Sequence, residues 1–277
     1  MIYQRALFFA FVLSLGISLA ACEPEDAAND DARAEGDVHI PEATEALQAA
    51  WEAHGGLDTW RAQRSARYTF ERTVGDTSTQ DEQRVDLHDR FVRITGDDFV
   101  LGFDGTDAWV APDLNAFPFD SDPRFYTSTY FYFWAMPFLL ADPGVIATDA
   151  GTTTLNGTTY NVTEIRYEDD VGDSPDDLYI AYTDAETHEL DVLRFSVTYG
   201  GRESEPDMAL VFDEWTTING LKLPTESHYR VWEDDALGDP AGPVLQYHDI
   251  ELRTEPLAPG LFERPHDAEV APGPDEA

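Results

Sequence analysis

Seven histidines, 55 carboxylates and one cysteine are the residues in this chain with chemistry to offer. His228 and His248 fall on strand-like segments and can meet across a sheet. Two histidines need further ligands to hold zinc, and with carboxylates so abundant a nearby one means little. The plainer reading is two rim histidines. Asp169, Asp170, Asp173, Asp176 and Asp177 make an acidic loop of the kind that holds calcium, a hard cation with oxygen ligands. The spacing is not that of an EF-hand, so an acidic turn without metal is the plainer reading there too. His54 stands before Gly55-Gly56 in a last helical turn, where a histidine caps carbonyls and meets the helix dipole. A nucleophile elbow, HExxH, paired Cys/His spacing and a phosphate loop do not occur in the sequence. The expectation is a non-enzyme with no catalytic residue, no metal and no cofactor.

The cysteine points to different chemistry. Arg5 is followed by an apolar run from Ala6 to Ala21, of signal-peptide length and too short to span a bilayer. It ends in Leu19-Ala20-Ala21-Cys22, which resembles a bacterial lipobox. There the cysteine sulfur takes a diacylglycerol thioether and the chain is cut just before it. A lone cysteine cannot form an internal disulfide. Cys22 is therefore expected to be a lipid attachment site. Acyl chains would anchor the mature protein, since several hold a membrane where one is marginal. Residues 1–21 read as the signal peptide and 22–38 as a disordered acidic tether, spanning roughly 20 Å if flexible. The expected location is the cell envelope, facing the periplasm, with the outer membrane favoured.

The net charge of −38, with Lys222 the only lysine, argues against nucleic acid and anionic membrane surfaces, which select basic patches. The acids are scattered over strand-like segments and loops. That suits a highly solvated surface whose self-repulsion salt would screen.

The most apolar window after the N-terminus is Phe125 to Leu140, FYTSTYFYFWAMPFLL, with eight aromatic residues in fourteen positions. Asp120, Ser121, Asp122 and Pro123 before it form a helix start. Pro137, Asp142, Pro143 and Gly144 close it. A helix of three to four turns, apolar on nearly all sides, must be enclosed. It is either an ordinary core helix or the wall of an aromatic cavity for an apolar ligand. On a helical wheel Tyr126, Tyr130, Phe133, Trp134 and Pro137 share one side.

Around this stretch the periodicity is mostly that of strands. Pro41 to His54 and Leu57 to Gln63 read as helices, the second anchored by Trp60. Short alternating segments follow: Ala66–Thr73, Gln83–His88, Phe91–Thr95, Phe99–Asp104 and Ala108–Ala111. After the aromatic stretch come Tyr160–Tyr167, Leu178–Tyr182, Val192–Tyr199, Met208–Trp215, Leu221–Trp232 and Leu245–Arg253. Asn156-Gly157 and Asn219-Gly220 are hairpin turn signals. Phe99, Leu101 and Phe103 share a face. Helical crossovers between these segments are lacking, so the sheet is antiparallel. The fold expected is mainly β (α+β): a strongly curved antiparallel sheet of about eleven strands, a half-open barrel wrapped around a few helices. The folded domain is placed at 39–265, and 266–277 reads as a disordered acidic tail.

Five motifs together resemble the LolA/LolB-type periplasmic lipoprotein-carrier superfamily, in the branch of outer-membrane lipoprotein-sorting proteins. They are Ala53-His-Gly-Gly-Leu-Asp-Thr-Trp60, Phe103-Asp-Gly-Thr-Asp-Ala-Trp109, Ala135-Met-Pro-Phe-Leu-Leu-Ala-Asp-Pro-Gly144, Thr217-Ile-Asn-Gly-Leu-Lys-Leu-Pro224 and Gly260-Leu-Phe262. The resemblance implies a half-open barrel around helices, with acyl chains bound in an apolar cavity. Cys22 agrees with the membrane-bound acceptor of that superfamily, which has a lipid anchor. The expected function is a membrane-anchored envelope lipoprotein that binds acyl chains or lipidated proteins as a monomer. The alternative is a structural or calcium-binding lipoprotein with a filled core. The candidate cavity residues are Phe99, Leu101, Phe103, Tyr126, Tyr130, Phe133, Trp134 and Phe138.

Overall fold

The computed structural model describes residues 43–169 and 171–274. The signal peptide, Cys22 and the tether lie outside the described residues. Helix α1, Glu45–Ala53, is capped by Thr44, whose hydroxyl accepts the Leu47 N–H at 3.2 Å. The same hydroxyl lies 3.1 Å from that of Thr163. Helix α2, Leu57–Arg61, buries Trp60 as expected. Helix α3, Pro123–Trp134, starts with Asp122 accepting the N–H groups of Arg124 and Phe125 and with Pro123 in its first turn. A 3-10 turn over Phe138–Ala141 continues the aromatic stretch. Among the described residues, no helix is long and apolar enough to cross a membrane.

Among the described residues, thirteen strands form one antiparallel sheet that does not close. They are β1 Ser65–Val74, β2 Thr77–Asp86, β3 Val92–Thr95, β4 Val100–Phe103, β5 Ala108–Ala111, β6 Val145–Leu155, β7 Thr158–Tyr167, β8 Tyr179–Asp184, β9 Leu190–Phe195, β10 Met208–Ile218, β11 Leu221–Glu233, β12 Ala236–Arg253 and β13 Glu269–Val270. Their spatial order is β13-β5-β4-β3-β2-β1-β12-β11-β10-β9-β8-β7-β6. Two meanders, β1–β5 and β6–β12, are thus joined along β1 and β12. The order also fixes α3. Strands β5 and β6 lie toward opposite edges, so the chain between them must cross the sheet. It crosses on the inner face, where the aromatic helix is enclosed by side chains from both meanders. The tight turns are as expected: Asn156, Gly157, Asn219 and Gly220 all have positive φ.

The resemblance motifs turn out to hold one another. The His54 carbonyl accepts the Lys222 N–H at 2.8 Å. A Cβ on Gly55 would stand 2.1 Å from the Gly220 carbonyl oxygen, so only glycine allows the helix end to meet that hairpin. His54 is fully buried, not a surface cap. Its Nε2 accepts the Leu190 N–H and its Nδ1 donates to the Lys222 carbonyl, both at 3.1 Å. Burial pushes its pKa down to about 4. The ring is a neutral cross-link between α1, β9 and β11, bonding the carbonyl of Lys222 where a cap on the helix's own end was expected.

Three further features go beyond the expected pattern. Strand β6 has no apolar alternation because it is an edge: only its ends, Val145 and Leu155, are buried. A bulge at Gly151, whose N–H bonds the Asp149 carboxylate at 2.8 Å, interrupts its pairing. Two residues of the stretch read as a loose tail, Glu269 and Val270, pair with β5, and Ala271 is buried. The Trp of the FDG…W turn, Trp109, is buried against Gly102 and lies under the Arg93 guanidinium at 5.9 Å, outside the main core.

Candidate functional site: a cavity beside the aromatic helix

The two sides of α3 meet different surroundings. Tyr126 and Trp134 face a filled core. Trp134 is fully buried among Trp60, Tyr68, Phe131 and Tyr247, with centroids 4.6–6.4 Å away. The Tyr126 hydroxyl donates to Asp81 at 2.7 Å, Gln83 donates to the other Asp81 oxygen at 2.9 Å, and Tyr68 donates to Gln83 at 2.9 Å. Burial raises Asp81 to about 6, against the two hydrogen bonds that favour its charged form.

The other side of α3, with Phe125, Thr129, Tyr132 and Phe133 at helical spacing, faces a cavity of about 500 Å³. The opposing wall is built by register. Met208 pairs with Phe195 and Phe195 with Tyr179, but Tyr179 pairs with Ile165, so Tyr167 and its partner Val145 stand two residues further along the same face and the inward side chains cross β10 to β6 in a staggered row. Tyr229, Pro243 and Arg72 extend the wall over β11, β12 and β1. Aromatic contacts tie the walls together: Phe133 to Phe195 at 5.0 Å, Tyr132 to Tyr179 at 5.4 Å and Phe125 to Tyr199 at 5.0 Å. The hydroxyls of Tyr132 and Tyr167 hydrogen-bond each other. Burial pushes the phenols of Tyr132, Tyr179 and Tyr229 well up, so they stay neutral at ordinary pH.

One end of the cavity is covered by residues Val171 to Asp177, part of the acidic loop. Asp173 takes two hydrogen bonds from Arg124, at 2.7 and 3.0 Å. Asp177 accepts the N–H and the hydroxyl of Thr198 at 2.6 and 2.8 Å. Asp142, also lining the cavity, accepts from Arg90 at 2.9 and 2.7 Å. Burial raises Asp142 and Asp177. Val171 lies against Gly144, where a Cβ would approach to 2.5 Å. Asp173 and Asp177 thus fasten this strap, and Asp142 ties the segment before β6 to Arg90. Among the described residues no group of three or more His, Cys, Asp or Glu is arranged to hold a metal.

Of the eight candidate cavity residues, Tyr130 and Phe133 line the cavity. Tyr126, Trp134 and Phe138 lie in the filled core, Phe138 stacked on Trp60 at 4.8 Å. Phe99 packs on Phe117 and Phe119, Leu101 is fully buried, and Phe103 lies under the Arg124 guanidinium at 5.1 Å. They share a face as expected, but away from the cavity. Sequence reading missed Phe125, Tyr132, Tyr167, Tyr179, Phe195 and Tyr229 as cavity residues. The wheel favoured the uniformly aromatic side, whereas the cavity side carries Ser128 and Thr129. The strand residues gave no signal, because inner-face alternation looks the same over a void as over a filled core. His228 pairs across strands with Val244 and binds Asp213, while His248 is 3.3 Å from Glu71, so the two histidines serve different carboxylates.

A family model described as a family of unknown function, DUF6503, matches residues 120–238, from the start of α3 into β12. A LolA superfamily protein from Nitrosomonas europaea is similar in structure at 14% identity and TM-score 0.49, over 79% of this chain and 96% of that one. A DUF1329 family protein from Desulfovibrio piger is similar at 12% identity and TM-score 0.50, over 79% and 98%. The likeness to the DUF1329 family protein is one of fold. No curated protein matches the sequence at a significant level.

Proposed function

We propose that this protein is a binder of acyl chains, free or carried by another lipoprotein, held at a membrane of the cell envelope through Cys22. The observation that carries the reading is the cavity of about 500 Å³ between α3 and the inner face of the sheet, walled mainly by aromatic side chains. That volume lies within the roughly 300–1,000 Å³ of pockets that take small ligands. Each methylene moved from water into such a space contributes about 0.8 kcal/mol. A handful therefore reach micromolar binding once ordering costs are met. The carboxylates around the cavity are bound to Arg90, Arg124 and Thr198. That favours a binding role over a catalytic one, because a general base needs a carboxylate free to take a proton.

The test is native mass spectrometry of protein purified from envelopes, followed by titration of the delipidated protein with a fluorescent fatty acid. Co-purified lipid and saturable uptake are expected. Protein that emerges without lipid and takes up no probe would leave a structural lipoprotein as the reading.

A further inference from the structure

Every carboxylate in the cavity wall has a partner, but its one arginine, which reaches Tyr130, has no carboxylate. Strand β1 alternates Ala66, Tyr68 and Phe70 on its inner face, all buried, and Arg72 is the next residue on that face. Its guanidinium stands beside the cavity, 6.0 Å from the Phe119 ring. Its Nε is buried without a hydrogen-bond partner, and among the described residues Arg72 forms no ion pair. In a chain with 55 acidic and 17 basic residues, a carboxylate left away from such a cation is unusual. A half-buried guanidinium without a counter-charge is costly, and a planar fork of donors is suited to carboxylate or phosphate. Arg72 is also close enough to Tyr130 and Tyr229 to draw their phenol pKa values down against burial. The charges of the cavity are therefore sorted. The cation sits on β1, and the partnered aspartates lie in the strap and just before β6.

We propose that the cavity takes a single-chain amphiphile with an anionic head, its carboxylate or phosphate held by Arg72 and its tail laid along the row from Tyr229 to Val145. This rests on the acyl-chain reading above and adds the class of lipid. At roughly 30 Å³ per methylene, near the share of one water in the liquid, the cavity holds on the order of sixteen carbons. That is one chain, not the two or three of a membrane anchor. A tail of this kind covers the apolar row, and the head meets the one arginine of the cavity wall, which among the described residues has no carboxylate.

The experiment uses delipidated protein at pH 8 and three probes of equal chain length: a fatty acid, a lysophosphatidate and a fatty alcohol. Wild type should bind at least one of the anions about tenfold tighter than the alcohol, the scale of one charge-assisted hydrogen bond. Which anion is preferred separates a carboxylate from a phosphate source. Arg72→Gln should bind all three at the alcohol's level, and Arg72→Lys should recover part of the preference. Equal binding of anion and alcohol by wild type overturns the assignment of the head while leaving the cavity reading intact. A preference that survives in Arg72→Gln overturns the role of Arg72. Binding of none of the three overturns both readings. The wild-type comparison needs no variant, so a poorly folding substitution does not blunt it.

Discussion

Phe133 and Phe138 sit five residues apart in the same aromatic stretch, both buried, yet they should respond differently to truncation. Phe138 stacks on Trp60 at 4.8 Å with planes 7° apart and is enclosed by protein. Removing its ring opens a new void in packed surroundings, so Phe138→Ala should cost about 3–5 kcal/mol. Phe133 packs on Phe195 and Tyr229 on one side and borders the cavity on the other. The space left by its ring joins one that already exists. What remains is chiefly the transfer cost, about 1.5–3 kcal/mol. For a chain of this size each kcal/mol moves the melting temperature by about 2–4 °C. Thermal unfolding without lipid should therefore rank wild type, Phe133→Ala and Phe138→Ala in falling order. The fluorescent fatty acid then separates the variants a second way. At a hundredfold excess over its Kd the probe should raise wild-type stability by about 2.7 kcal/mol. Phe138→Ala should keep most of that gain, and Phe133→Ala should lose much of it. Equal destabilisation by the two changes, with no shift on adding probe, would mean that the space beside α3 closes in solution, and the argument would fail.

Cys22→Ser should abolish labelling by fatty acid and release the protein from the membrane fraction; wild-type protein that takes no label would refute the lipobox reading. The net charge of −38 predicts that melting temperature rises substantially from low to molar salt, because screening relieves self-repulsion; a flat profile would contradict this. Stability against pH should carry two opposed contributions. Asp81, raised to about 6, holds its proton more tightly in the folded state, so its contribution is present at low pH and lost as pH rises from about 4 to 6. His54, lowered to about 4, takes its proton more readily when unfolded, so its contribution is absent at low pH and gained as pH rises from 4 toward 6.5. Each is worth on the order of 3 kcal/mol. Relative to wild type, Asp81→Asn should gain stability between pH 4 and 7 in urea unfolding, and an unchanged difference across that range would show that Asp81 does not titrate there.

Much of the fold was legible because its signals are local. Period-two alternation, Asn-Gly turns at 156–157 and 219–220, the Asp122-Pro123 helix start and the Gly55-Gly56 stop each act over a few residues. Backbone sterics and capping fix these wherever the segment lies. Strand β6 escaped notice because an edge strand needs no buried face, and the pairing of Glu269-Val270 depends on a neighbour far away in sequence. The enclosure of α3 was also legible, since a helix aromatic all round cannot face water. Which side of it would be filled was not. Packing on Trp134 and opening beside Phe133 follow from which strands come to face each side of the helix, β1 and β12 beside Trp134 and the β6 to β11 strands beside Phe133, which no local pattern encodes. The same holds for charge. The sequence supplies 17 cations for 55 acids, and only the folded sheet decides that Arg124 and Arg90 meet aspartates while Arg72 meets a cavity.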